Sequence, residues 1–324
     1  MDTTSIIKKR KEDGIRLALL DVGMRKKTTL FEDIEFIHNA LPEINYDEIS
    51  LNTKFLNHDF NAPIIIGAMT GGSEKSKIVN ENLAKAAEEL GLGMVVGSQR
   101  AALVSKELEE TYSITRKVAP HIYIGANIGA AQLEKISKAD LERLISMLEA
   151  NALYIHLNPM QELIQPEGEP NYKNVIANIE KIRSLVDIPI IVKEVGMGIS
   201  KDVGLALEKT GINAIEIAGA GGTSWIGIEG IRAKEFWNEE KEKLAIEYWD
   251  WGIPTAASLY VLARSVKIPL IASGGLYKGS DMAKALAIGA SMVALARPLL
   301  KDALESSDKV KKHLSLIISL IKAS

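Results

Sequence analysis

Ala152-Leu153-Tyr154-Ile155-His156-Leu157-Asn158-Pro159-Met160-Gln161-Glu162 reads as a short buried strand that ends abruptly in polar chemistry. The run Ala152–Ile155 is of strand length and apolar throughout. From His156 to Pro170 the chain then places one His, one Asn, two Gln, three Glu and three Pro. Functional groups concentrate on loops held by a rigid scaffold, although a solvated surface turn has a similar composition.

The same unit recurs along the chain. Ile64–Gly67, Met94–Gly97, Ile122–Gly125, Ile188–Val192, Ala214–Ile217, Ile268–Ala272 and Ser291–Leu295 are further apolar runs of strand length. Between them lie helical patterns over Ser73–Leu90, Lys106–Val118, Lys138–Ala150, Tyr172–Val186, Ser200–Thr210 and Ser280–Ile288. Ser137 and Asp140 have the spacing of a capping box before the third of these helices. A longer insertion, about Ile226–Val266, sits between the sixth and seventh strands and holds at least two helical segments. Strands apolar on both faces belong to parallel sheets covered by helices. Eight such units predict an α/β fold, a (β/α)8 TIM barrel. The expected organisation is a single domain over 1–324: an N-terminal extension over 1–62, the barrel over 63–300 and a C-terminal helix over 301–324. An open doubly wound sheet is the alternative. It would show a Gly-rich dinucleotide turn after the first strand, and Met69-Thr70-Gly71-Gly72 is not that turn.

Composition narrows the function. A net charge of −3 gives no basic field for nucleic acid. With no cysteine, thiolate metal sites, disulfides and a Cys nucleophile are excluded. No apolar run reaches the length of a membrane span, and Met1–Lys11 lacks the apolar core of a signal peptide. A cytoplasmic location is expected.

In a barrel, chemistry sits at the carboxyl ends of the strands. Those ends carry Ala68, Met69 and Thr70; Ser98, Gln99 and Arg100; Asn127; His156, Asn158, Gln161 and Glu162; Lys193 and Glu194; Thr223; Ser273, Gly274 and Gly275; and Ala296 and Arg297. Any one of these could be a turn residue, but polar groups at all eight ends are hard to explain as turn chemistry. Glycine-rich loops expose backbone N–H groups, and the loops after strands seven and eight are the usual phosphate site of this fold. Lys193 is either a barrel-mouth ion-pair partner or a cation facing a flavin. Arg10 and Lys11, in a basic run, are either a solvated helix start or an anion clamp.

These strings resemble the type 2, flavin-dependent isopentenyl diphosphate isomerases. The matching segments are Arg10-Lys11-Glu12-Asp13, Met69–Gly72, Val96–Arg100, His156–Glu162, Gln165–Gly168, Val192–Gly196, Gly221–Trp225 and Asp250–Ala257. The resemblance implies an FMN barrel interconverting isopentenyl and dimethylallyl diphosphates, with reduced flavin, NADPH as reductant and Mg2+. It assigns FMN to Ala68, Met69, Thr70, Ser98, Asn127, Lys193, Thr223, Gly274, Gly275, Ala296 and Arg297. The substrate falls to Arg10, Lys11, Ser98, Gln99, Arg100, Asn158, Gln161 and Trp225, with Glu229 nearby. His156, Gln161 and Lys193 take the catalytic roles, and Glu162 the metal. A homotetramer or homo-octamer is implied.

Three departures stand out. Gly14 occupies the place of a usual His, Leu276-Tyr277-Lys278 replaces a usual Ile-Arg segment with Lys278 as a substitute cation, and family chains usually run beyond the position of Ser324. Two competing readings remain. One is a hydroxyacid oxidase, which needs a His in the sixth-strand loop that this chain lacks. The other is a catalytically impaired or engineered family member that keeps the barrel and FMN.

Overall fold

Alternation within each apolar run decides which side chains enter the barrel. In the computed structural model, which describes residues 3–324, the chain begins with helix α1 (Thr3–Leu19) and reaches a small antiparallel hairpin, β1 (Thr53–Phe55) and β2 (His58–Phe60). Eight parallel strands follow: β3 (Ile64–Ile66), β4 (Gly93–Val95), β5 (Ile124–Gly129), β6 (Ala152–His156), β7 (Ile190–Lys193), β8 (Ala214–Glu216), β9 (Leu270–Ala272) and β10 (Met292–Leu295). They pair in sequence order, and β10 closes on β3. This is the expected (β/α)8 barrel.

Successive side chains of a strand point to opposite faces. Ile65, Val95, Tyr154, Ile191, Ile271 and Ala294 therefore fill the interior with residues of the hairpin. Ile64, Ile66, Leu153, Ile155, Ile190 and Val192 pack outward with the apolar residues of the helical shell. That shell comprises α2 (Glu74–Leu90), α3 (Arg100–Val104), α4 (Glu110–Val118), α5 (Lys138–Ser146), α6 (Pro159–Ile164), α7 (Val175–Leu185), α8 (Lys201–Lys209), α9 (Trp225–Glu235), α10 (Glu239–Glu247), α11 (Thr255–Leu262), α12 (Gly279–Ala287), α13 (Arg297–Glu305) and α14 (Ser307–Lys322). The capping box at the start of α5 is present, with Ser137 and Asp140 each satisfying the other's backbone N–H.

Four expectations are corrected. The third strand, read as Ile122–Gly125, runs Ile124–Gly129, so Asn127 lies within it; at Gly125 a Cβ would stand 2.5 Å from the Tyr154 ring. The helix expected over 106–118 is a 3-10 turn over Lys106–Leu108 followed by α4, and a further short helix, α3, precedes it. The polar loop after β6 begins with helix α6, because Pro159 at its first position is preorganised for a helix start. The single closing helix is two, α13 and α14; Ser306 interrupts them and caps the second by accepting from Lys309 N–H.

Residues 3–62 work at both ends of the barrel. The β1–β2 hairpin plugs the amino end: Phe60 abuts Gly93 at the start of β4, and Phe55, His58 and Phe60 pack on Tyr123. Helix α1 crosses the carboxyl end. The chain after α1 is stitched to the loop beyond β8 by Arg25 N–H to Gly222 O and Ser224 N–H to Gly23 O. Phe60→Ala should remove the plug's largest buried contact and cost about 3–5 kcal/mol. Chemical unfolding measures this; a loss below about 1 kcal/mol would show that the hairpin is not part of the core.

Candidate active site

Register brings the polar residues of neighbouring strands to one level. Gly129 pairs with His156, His156 with Lys193, and Lys193 with Glu216. The inward-facing parity that buries Tyr154 and Ile191 lower in the barrel therefore delivers His156, Lys193 and Glu216 to its mouth. They line one cavity roofed by Arg10, Lys11 and Gly14 of α1.

Histidine 156 donates or accepts through Nδ1 at 2.9 Å from Asn127 Oδ1. Because Asn127 Nδ2 is spent on Val96 O at 3.0 Å, Asn127 Oδ1 must accept and His156 Nδ1 must carry the proton. Burial, with Lys193, Lys11 and Arg10 adding to it, pushes the imidazole down to about 3. It is neutral at physiological pH and offers an Nε2 lone pair. Lys193 is buried, donates to Glu194 O and lies 3.6 Å from Glu216 Oε1. Ser273 donates to the same Glu216 oxygen at 2.8 Å. Glu194 turns away, accepts from the N–H groups of Val195, Gly196 and Met197, and is raised by burial to about 7.

Helix α6 presents Gln161 and Glu162 one residue apart. Gln161 Nε2 donates to Glu229 Oε1 at 3.1 Å, and Arg232 donates to the other Glu229 oxygen. Burial raises the Glu229 carboxyl, with Arg232 drawing it back. Asn158 donates to Gln161 Oε1 at 3.3 Å and to Glu162 Oε1 at 3.1 Å, while Tyr172 donates to Asn158 Oδ1 at 2.6 Å. Glu169 N–H binds the second Glu162 oxygen at 2.9 Å. Both amides are thus fixed in orientation by their partners.

Arg10, Lys11 and Arg100 line the cavity close to one another. Arg100 has Glu169 at 3.1 Å, and Lys11 reaches only the Ser98 carbonyl, at 3.4 Å. Burial first, then Arg10 and Arg100, lower Lys11 to about 7 against the pull of Glu229. Beyond β9, Gly274 and Gly275 hold φ of 96° and 70°; a Cβ on Gly274 would stand 2.2 Å from Gly219 O. The N–H groups of Gly274, Gly275, Leu276 and Arg297 make no hydrogen bond among the described residues. Such a set of free donors at a helix start suits a phosphate.

All the residues expected at the site line this cavity except Gln99. Gln99 is fully buried and faces away: its Nε2 donates to Leu144 O at 3.0 Å and its Oε1 accepts from Asn127 N–H at 2.9 Å, tying β5 in place. It does not line the cavity that the other expected residues share. Lys278 is exposed and outside the cavity, whereas Tyr277 lines it. The Arg297 guanidinium is committed to Ala18 O, Asp21 and Tyr277. Gly14 faces the cavity, and a Cβ there would meet only the Trp225 ring at 3.9 Å. Glu216 and Arg232 were missed. The one signal for Glu216 was a lone carboxylate inside the apolar run Ala214–Ile217.

A family model of FMN-dependent dehydrogenases matches residues 159–319. The fold resembles a sulfite-bound flavocytochrome b2 variant (TM-score 0.67, 17% identity, 96% of this chain and 77% of that one). It also resembles a mandelate oxidase variant with a monooxide FMN adduct (TM-score 0.62, 16% identity, 96% and 86%). The isopentenyl-diphosphate delta-isomerase of Methanosarcina acetivorans is 43% identical, over 100% of this chain and 88% of its own length. That of Pyrobaculum aerophilum is 44% identical, over 98% and 90%. The chain belongs to the isopentenyl-diphosphate delta-isomerase family. The barrel and the FMN-dehydrogenase match mark the flavin-dependent, type 2 form.

The lowered Lys11 yields a pH prediction. Its ordinary value is 10.5 and its folded value about 7, so the unfolded chain binds more protons between them. Stability must then rise with pH across that window. Glu194, raised to about 7, opposes this at the low end of the window, so the Lys11 contribution is the difference between wild type and a Lys11 variant. Urea midpoints from pH 7 to 9.5 should climb in the wild type and climb less in Lys11→Met. Equal slopes would place Lys11 in solvent.

Proposed function

We propose that the protein interconverts isopentenyl and dimethylallyl diphosphates, with FMN held across the barrel mouth and Mg2+ beside the substrate. The observation that carries this reading is the polarity of the cavity. Three mutually close cations, Arg10, Lys11 and Arg100, and four residues with unbonded N–H groups line one cavity together with neutral His156 and Gln161.

The free N–H groups of Gly274, Gly275, Leu276 and Arg297 fit the flavin phosphate. Ala68, Met69, Thr70, Ser98, Asn127, Thr223 and Ala296 would wall the cofactor, and Lys193 would face its ring. Reduced and bound, FMN supplies an electron-rich face and a proton beside an alkene that is itself a very weak base. Arg10, Lys11 and Arg100 bind the diphosphate, with Asn158 on the same side. A charge-assisted hydrogen bond contributes about 1.5–3 kcal/mol, and that energy orients a remote double bond rather than reacting. Trp225 closes one wall. Neutral His156 is no acid; it shapes the alkene site and presents a lone pair. Gln161, held by Glu229 and Asn158, positions the reacting carbon.

Glu162 suits Mg2+: each oxygen accepts one hydrogen bond and keeps further lone pairs. Mg2+ commonly takes one or two carboxylates and completes its shell with water and substrate phosphate. No cluster of three or more His, Cys, Asp or Glu is present among the described residues, so the diphosphate must supply much of that shell. The double-bond shift is redox-neutral, so NADPH is needed only to reach the reduced flavin. Among the described residues no helix is long and apolar enough to cross a membrane; a cytoplasmic location is part of the proposal. Exposed Phe36, Ile37, Leu41 and Ile44, and Leu316 and Leu320 on α14, support self-association, for which we propose a homotetramer or homo-octamer.

Anaerobic assays with isopentenyl diphosphate and Mg2+ should show turnover with reduced FMN and none with oxidised FMN. FMN binding without turnover would favour the impaired-member reading. Glu162→Gln should shift Mg2+ activation to higher concentration at unchanged FMN affinity; an unaltered activation curve would put the metal elsewhere.

A further inference from the structure

Glu216 has no place in the roles above, yet it sits at the floor of the same cavity. It is 3% exposed, its Oε1 takes Ser273 and faces the Lys193 ammonium, and its Oε2 has no partner. A buried carboxylate with an orphan oxygen is costly, and one tied to a cavity lysine invites a reason. Register makes the pairing unavoidable: Lys193 and Glu216 are opposite one another on β7 and β8, both facing inward. Below them lie the phenols of Tyr123 and Tyr154, raised by burial with the Glu216 charge adding to it, so they bring no charge that offsets the lysine.

Resting on the FMN reading, we propose that Glu216 is a positioning residue that offsets the Lys193 charge beneath the flavin and so lowers the flavin's reduction potential. Reduction adds negative charge to the ring. An unbalanced ammonium in a low-dielectric site would stabilise that charge strongly. A carboxylate at 3.6 Å turns the ammonium into a short dipole whose pull fades with distance. The reduced ring is then left electron-rich, which suits a reaction that transfers protons and no net electrons. Ser273 fixes the carboxylate on the lysine side by holding the oxygen that faces Lys193.

The test is the midpoint potential of bound FMN, measured by anaerobic titration against reference dyes. Oxidised FMN is first titrated into wild type; absence of binding there would sink the flavin reading itself. Given binding, Glu216→Gln should bind reduced FMN at least tenfold better relative to oxidised FMN than wild type does. That is a rise of about 30 mV for a two-electron couple. Glu216→Asp and Glu216→Asn repeat the comparison with shorter side chains, should Glu216→Gln not fold. Asp should stay near wild type and Asn should rise. An unchanged or lowered potential in the uncharged variants overturns the role of Glu216 while leaving FMN binding intact.

Discussion

The inward parity of the strands is the constraint on which the site depends. His156, Lys193 and Glu216 stand side by side in the ladder because β6, β7 and β8 pair in one register. A slip of one residue would send each of them outward and bring apolar side chains into the mouth. Closure of β10 onto β3 fixes that register around the barrel and allows no free edge. The polar ring is therefore a consequence of the same packing that buries Ile65, Ile191 and Ile271 below it.

Electrostatics then divides the cavity. Burial and neighbouring cations disfavour positive charge on both His156 and Lys11. Histidine yields and is neutral, while Lys11, with Arg10 and Arg100 close by, sits where an arriving anion relieves repulsion. Glu229 is drawn the other way, toward Arg232, whose guanidinium also binds Glu167 at 2.7 Å and lies 3.8 Å from Asp13 of α1. That buried network couples the helix bearing the cations to the helices bearing Gln161 and Glu229. Breaking one member of such a network costs far more than the pair contributes in net stability.

The barrel was legible because its signals are local. Eight apolar runs, a capping box and paired glycines each declare themselves within a few residues. What escaped was tertiary. Gln99 was read as a strand-end polar residue, yet whether such a side chain meets the cavity or a neighbouring backbone depends on where β5 and α5 lie. Gly125 gave no sign of the close approach it makes to Tyr154. Residues 53–60 read only as short strands or turns of an N-terminal extension; their role as a plug needs the barrel that Phe55 and Phe60 fill. Glu216 looked like a blemish in an apolar strand; only closure and parity show that it faces Lys193.

The most direct test of the central claim is a crystal structure with FMN and isopentenyl diphosphate bound. The account predicts the flavin phosphate on the N–H groups of Gly274, Gly275, Leu276 and Arg297, the ring above Lys193, and the diphosphate between Arg10, Lys11 and Arg100. A flavin phosphate seated on the three cations, or a diphosphate outside the cavity, would contradict it.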